Sequence, residues 1–328
     1  MDIQRVLGRV DEFQQRKRFL AFPFAVLKKF GDDRAGNLAA LMAYYGFFSL
    51  FPLLLVMVSV LGLLLRGNPE LQQRIVDSTL AQFPIIGDQL QRNVGALGGE
   101  GAGVTLGIGT ITALWAGLGV MQASQNALNT VWDVPRKDRP NFLQTRLRSL
   151  IMLLVLGSVV IASTLLSGLG TATGSLGVLL RVVGLAGSLL INVGGYLVAY
   201  RVLTDRPLRW ADVAVGAIFA GIVWTALHAL GNFYIGHMLK NSSALYGFFA
   251  FVLGLLAWFY LGSQITLLGA EVNVVRKNRL WPRSLQQEPP LREEDRQTLR
   301  RAAKVEERLP QEKVDVTFQE GSDSDEPP

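Results

Sequence analysis

The sequence predicts an all-α fold: a polytopic membrane helix bundle of six transmembrane helices, an external amphipathic helical segment and a disordered C-terminal tail. Three observations predict it. Six stretches carry no Asp, Glu, Lys or Arg at all: 35–65, 101–132, 149–180, 182–200, 213–239 and 241–270. Lys and Arg gather in alternate connecting segments. The apolar pattern stops at Trp281, and the rest of the chain is charged.

A helix crosses a hydrocarbon core of about 30 Å with roughly 20 mainly apolar residues. Each charge-free stretch supplies that length. A helix on the surface of a soluble domain carries a charged face instead. One such run could be a buried core helix, but a chain of 328 residues is too short to wrap six of them in soluble protein. The spans are placed at about 39–65, 103–125, 149–169, 178–200, 211–235 and 244–273.

Counting Lys and Arg between these spans gives the orientation. The N-terminal segment has eight, the first loop three over a long stretch, and the second loop five. The third loop has none, the fourth three in a short segment, and the fifth only Lys240. Four more follow the sixth span: Arg276, Lys277, Arg279 and Arg283. By the positive-inside rule both termini are expected in the cytoplasm of a bacterial inner membrane. The first apolar run begins near residue 39 behind a charged segment, so a retained signal-anchor is expected rather than a cleaved signal peptide.

Three parts follow. Residues 1–38 form a cytoplasmic segment whose Phe19–Phe30 portion reads as an interfacial helix. Residues 39–280 form the transmembrane domain. Its one sizeable external segment, 67–102, reads as two short amphipathic helices broken at Pro84. Residues 281–328 form a cytoplasmic tail, helical in part between Leu285 and Val305 and otherwise expected to be disordered.

The formal charge of +6 divides unevenly. Residues 1–282 hold 24 Lys/Arg against 14 Asp/Glu, and residues 283–328 hold 8 against 12. Basic loops on a membrane protein are expected to meet anionic lipid, not nucleic acid. Membrane lipids are therefore the expected partners, with a second copy or another envelope protein as a further one. The chain has no cysteine, which excludes disulfides and thiolate chemistry. Its two histidines, His228 and His237, stand in no HExxH or paired-acid pattern, and no phosphate-binding GxxxxGK[ST] or dinucleotide fingerprint occurs. No catalytic residue, metal or cofactor is expected, and the chain is expected not to be an enzyme.

Polar residues inside a membrane are costly, so they are the candidates for function. On the first span Tyr45, Ser49 and Pro52 share a face. Pro52 removes the helical partner of the Phe48 carbonyl, which reads as a packed kink or as the wall of a polar cavity. At the inner end of the second span Gln122, Gln125, Asn126 and Asn129 share a stripe. That reads as a hydrogen-bonded seam or as a substrate contact. The fifth span carries His228 and Asn232 one turn apart. Glu271 sits on the inner turn of the sixth, where a salt bridge with nearby Arg276 or Lys277 competes with a functional carboxylate. The pairs Gly103/Gly107 and Ala217/Gly221 have the small-xxx-small spacing of close helix crossings.

The order of these features resembles the YihY/BrkB family of bacterial inner-membrane proteins, formerly labelled ribonuclease BN-like. The carriers are Ala39-Ala40-Leu41-Met42-Ala43-Tyr44-Tyr45 and Ser49-Leu50-Phe51-Pro52-Leu53-Leu54 on the first span, then Leu114-Trp115-Ala116 and Ala127-Leu128-Asn129 on the second. Gly216-Ala217 and Val223-Trp224 follow on the fifth, with Tyr246-Gly247 and Leu268-Gly269-Ala270-Glu271-Val272-Asn273 on the sixth. The resemblance covers roughly residues 25–280. It implies a six-helix core, a cytoplasmic-membrane location and a role in envelope physiology. Translocation of a lipid or amphipathic envelope substrate is the favoured expectation. A non-transporting scaffold of an envelope complex is the alternative. A membrane ribonuclease conflicts with the residue inventory.

Overall fold

The computed structural model describes residues 3–64, 102–169, 177–238, 244–285 and 291–318. Among them every regular element is a helix. Two short helices lead in, α1 (Ile3–Arg16) and α2 (Arg18–Asp32). Six long ones follow: α3 (Ala35–Leu64), α4 (Ala102–Val131), α5 (Phe142–Leu169), α6 (Gly177–Val202), α7 (Trp210–Met238) and α8 (Ala244–Asn278). The chain then adds α9 (Glu293–Lys304). The external segment expected over 67–102 lies outside the described residues, apart from Ala102.

The six long helices occupy the six charge-free stretches, and α5 to α8 overrun them at the end that carries the chain termini. There α5 begins at Phe142, ahead of Arg146 and Arg148, and α8 runs on to Asn278 through two basic residues, while α4 runs past the expected span 103–125 to Val131 through its amides. Hydropathy marks the part of a helix that meets lipid. Backbone hydrogen bonding continues past it into polar sequence. Within the described residues three segments are long and apolar enough to cross a membrane: Val182–Val202, Trp210–His228 and Val252–Asn278. The outward surface is apolar too, with Trp115 73% and Leu190 72% exposed.

Each long helix packs on the next, and α8 closes back on α3, so the six make a closed ring. The helix α2 lies across α8 at the termini-bearing end, where most of the fully buried side chains collect, Trp132, Leu128, Val131, Val274 and Leu280 among them. One face of α2, with Ala21, Ala25, Val26 and Lys29, is buried against the ring, while Phe19 and Leu27 face outward.

Helices α7 and α8 cross at backbone distance. A Cβ on Gly216 would stand 1.8 Å from the Gly269 carbonyl oxygen. The Gly216 N–H donates to Asn273 Oδ1 at 2.7 Å, and the Tyr200 hydroxyl donates to the Thr266 carbonyl at 2.8 Å. Gly221 packs likewise, on Val193, as its small-xxx-small spacing leads one to expect. Gly107 of the other pair faces open space. The helix ends at Arg34, Asp133 and Arg279 take left-handed backbone, with φ of 50°, 52° and 53°. Each costs a non-glycine residue about 1–2 kcal/mol, so the turns must be held by tertiary contacts.

In the described part of the tail, α9 falls inside the stretch 285–305 read as helical in part, and order extends beyond it, where disorder was expected. Residues 281–285 and 291–318 fold against the ring: Arg283, Asp295, Thr298 and Glu307 are buried. Charged composition predicts disorder when a segment has nothing to bury against. Here its charges find fixed partners on α1, α2 and the segment after α4. Residues 319–328 lie outside the description.

Substitution Gly216→Ala drives a methyl group into backbone rather than into a movable side chain. It is expected to cost at least about 2 kcal/mol, read as a lower melting temperature of the detergent-solubilised protein, with the exposed Gly107→Ala as the near-neutral control.

Candidate functional site

The structure separates the polar residues that the sequence groups. Tyr45 is partly exposed and lays its ring against Gly119 of α4, where a Cβ would come within 2.9 Å. The Ser49 hydroxyl donates to the Gly46 carbonyl at 2.8 Å, so it satisfies its own turn rather than the carbonyl that Pro52 frees. Pro52 lies in α3, but its surroundings fall outside the described residues. The amide stripe splits. Gln125 is buried and donates to the Ser149 hydroxyl on α5 at 2.9 Å. Asn129 is buried and grips Asp205, donating to its carboxylate at 2.7 Å and accepting its N–H at 2.8 Å. Asn126 is exposed and accepts from Arg139 at 3.0 Å, while Gln122 is half-buried. His228 is exposed, its ring edge-on to Trp224 and Trp258. The side chain of Asn232 lies outside the described residues.

Glu271 is buried completely, and its partner is not Arg276 or Lys277. Its Oε2 stands 3.8 Å from Nζ of Lys29, which reaches in from α2 and is itself fully buried. The same ammonium lies 2.5 Å from Asp33, 3.4 Å from Asp133 and 3.1 Å from the Val131 carbonyl. Arg301 of α9 reaches the other oxygen of Asp133 at 3.0 Å. Three carboxylates from α8, the α2–α3 turn and the end of α4 thus converge on one lysine. Burial pulls the Lys29 pKa down, but Glu271, Asp133 and Asp33 outweigh it and hold the amine protonated, above its ordinary value. Burial pushes the Asp33 carboxyl up; Lys29 counters it, and Asp133 adds to the rise. Among the described residues no group of His, Asp and Glu is arranged to hold a metal ion, and the ammonium fills the centre of the three acids.

A second buried cluster pins the tail. Arg283 donates to Asp295 at 2.8 Å and to Asp32 at 2.7 Å. Lys28 pairs with Asp295 at 3.2 Å and also donates to the Ser284 carbonyl, while Gln14 donates to the Arg283 carbonyl at 2.8 Å. Adjacent lysines of α2 therefore serve two clusters, Lys28 the tail and Lys29 the ring. Burial raises the Asp295 carboxyl, but the Ser284 N–H, Arg283 and Lys28 prevail and hold it below its ordinary value. Further along, Lys137 and Glu307 pair at 2.6 Å, and the Lys137 N–H donates to the Glu307 carbonyl at 2.9 Å.

Beside the first cluster opens a cavity of about 560 Å3 between the start of α5, the end of α6 and the segments that flank them. Arg148, Arg201 and Arg206 line it, together with Gln144, Thr204 and Asp205. None of the sequence-predicted candidates lines it. Asp205 is anchored by Asn129 and paired with Arg148. Arg201 stacks on Trp210 at 4.2 Å. Arg206 makes one long bond, to the Trp132 carbonyl at 3.4 Å. The end of α4 joins cluster and cavity residue by residue: the Val131 carbonyl accepts from Lys29, Trp132 from Arg206, and Val134 from Arg139.

Comparison with known proteins places this ring. The model of a family described as virulence factor BrkB matches residues 26–294. The chain belongs to the BrkB virulence factor family. The match takes in Lys29, Asp133, Glu271 and every residue of the cavity. Among BrkB relatives, the ribonuclease-like protein YfkH of Bacillus subtilis is 27% identical over 74% of this chain and 90% of its own. The inner membrane protein YhjD of Escherichia coli is 25% identical over 78% of this chain and 81% of its own. A UPF0761 membrane protein of Tolumonas auensis is 27% identical over 78% and 84%. No solved structure matches. This BrkB chain is accordingly a membrane protein of the BrkB/UPF0761 family.

Sequence reasoning passed over Lys29, Asp33, Asp133, Arg283 and Asp295. One signal was present: Ala21, Ala25 and Lys29 recur at helical spacing, which puts the lysine on the buried face of α2. Nothing comparable marks Asp133, a loop acid whose partners lie far away in sequence.

Two outcomes are expected. Lys29→Met leaves three buried acids without their cation and should cost about 3–5 kcal/mol, read by thermal unfolding; adding Glu271→Gln should recover part of that loss. Tail docking should depend on acid. A carboxyl with a lowered folded pKa contributes its full stability above its unfolded value of about 3.9 and loses it as pH falls through the folded value. Hydrogen exchange over 293–304 should therefore stay protected from neutral pH down to about 4 and open below it, and Asp295→Asn should open it at neutral pH.

Proposed function

We propose that this BrkB-family protein translocates a lipid or amphipathic envelope substrate across the bacterial cytoplasmic membrane, without enzymatic chemistry. All six long helices span the membrane in this reading, and both termini face the cytoplasm. One observation carries it. The arginine-lined cavity opens at the start of α5, beside outward-facing Phe142, Leu143 and Leu147, all well exposed. Polar recognition thus adjoins apolar surface where the helix would leave the bilayer, which suits a molecule with a charged head and an apolar tail. The alternation of Lys and Arg supports the orientation independently.

A scaffold role is the second reading. It draws on the amide seam, where Gln125 and Asn129 are occupied by protein groups. Reconstitution into liposomes separates the two. A translocator should accelerate the exchange of labelled envelope lipids between leaflets well above protein-free vesicles. No acceleration across a broad lipid panel would sink the translocation reading, and co-purification with a defined envelope complex would then favour the scaffold.

A further inference from the structure

We infer that the cavity between α5 and α6 is a binding site for a phosphate group, carried by the headgroup of an anionic lipid. Three guanidinium groups line it, and their bonds are unequally committed. Arg148 is paired with Asp205, which the Asn129 amide holds from two sides. Arg201 and Arg206 have no carboxylate within ion-pair distance among the described residues. Arg201 lies over the Trp210 ring, which orients the guanidinium plane without using its N–H groups. Arg206 spends one N–H on the Trp132 carbonyl. Each arginine offers five donors in a planar fork, the geometry that matches phosphate oxygens in pairs. Gln144 adds an amide to the lining, and Thr204 is buried in the wall with its hydroxyl unpartnered.

The charge balance agrees. The lining holds three arginines against Asp205 and Asp138, and Asp205 is already committed. An incoming anion would meet net positive charge in a recess where salt screens less than on open surface. Size narrows the ligand further. A volume of about 560 Å3 falls in the range of small-molecule sites and leaves room beyond a bare phosphate for a polar headgroup. The apolar residues beside it favour a ligand whose other end stays in the bilayer. This deepens the translocation reading by naming what the substrate presents to the protein. It rests on that reading only for the lipid as source, because binding is measured apart from transport.

The test uses the full chain in phosphatidylcholine nanodiscs. In one arm phosphatidylglycerol is added to the discs; in the other, glycerol phosphate is added to the solution. Native mass spectrometry reads the bound ligand. The variant carrying Arg201→Gln and Arg206→Gln should bind at least about 10-fold more weakly, since hydrogen bonds to charged groups carry most of such an affinity. Arg209→Gln, a highly exposed arginine outside the cavity, should bind as the parent does. Unchanged melting temperatures confirm that the variants fold. Loss in the lipid arm supports a lipid headgroup. Loss confined to the glycerol phosphate arm overturns the lipid source and keeps the phosphate site. Equal weakening by Arg209→Gln, or no weakening by the double variant, overturns the site in favour of diffuse surface attraction. Lipid exchange in liposomes is scored on the same preparations. Specific binding without exchange removes the translocation reading and leaves the site standing.

Discussion

One positive charge, on Lys29, lies where three carboxylates from separate parts of the chain converge. Taking an ammonium out of water costs several kcal/mol, and a single carboxylate at salt-bridge distance repays little of it. Asp33, Asp133 and Glu271 together repay it and hold the amine charged. The consequence is positional. The helix α2 cannot slide or rotate without stripping Lys29 of its partners, the left-handed turn at Asp133 is held by the ions on either side of it, and α8 is held to α2 near its C-terminal end. Arg301 extends the cluster to α9. A single buried cation thus ties the entry helix, the ring and the tail.

The ring obeys another constraint. In lipid, apolar burial no longer drives helix association, so close contact and hydrogen bonding must do it. The α7–α8 crossing shows both, with glycine facing glycine and Asn273 bonded to a backbone N–H. The amides of α4 do similar work, Gln125 toward α5 and Asn129 toward the turn after α6. Protein partners meet the cost of burying both amides.

Cluster and cavity are neighbours joined by the end of α4. Four successive residues there turn one way to Lys29 and Arg301 and the other way to Arg206 and Arg139. Any change in how α4 ends would be felt on both sides. The wall of the cavity and the packing of the tail therefore depend on the same short segment. Of the two readings of the α4 amides, a hydrogen-bonded seam and a substrate contact, Gln125 and Asn129 make hydrogen bonds of the first kind.

Six long helices, their places in the chain and the family resemblance were legible in the sequence. Absence of charge over a membrane's width is a local property, and each stretch declares itself without reference to the others. The amide stripe and the close glycine at Gly221 were legible for the same reason, since helical spacing alone puts them on a face. What those faces meet was not. Glu271 has two basic residues nearby in sequence, yet it faces a lysine some 240 positions away because the ring and α2 bring them together. Outside the stretch 285–305, read as helical in part, the tail looked disordered by composition; its described residues are held because Arg283 meets Asp32 and Asp295 meets Lys28, both on α2 at the other end of the chain. The cavity's arginines read only as inside charge on two loops. Pairing of ions is a long-range property, decided by which helices close the ring, and only the tertiary structure contains it.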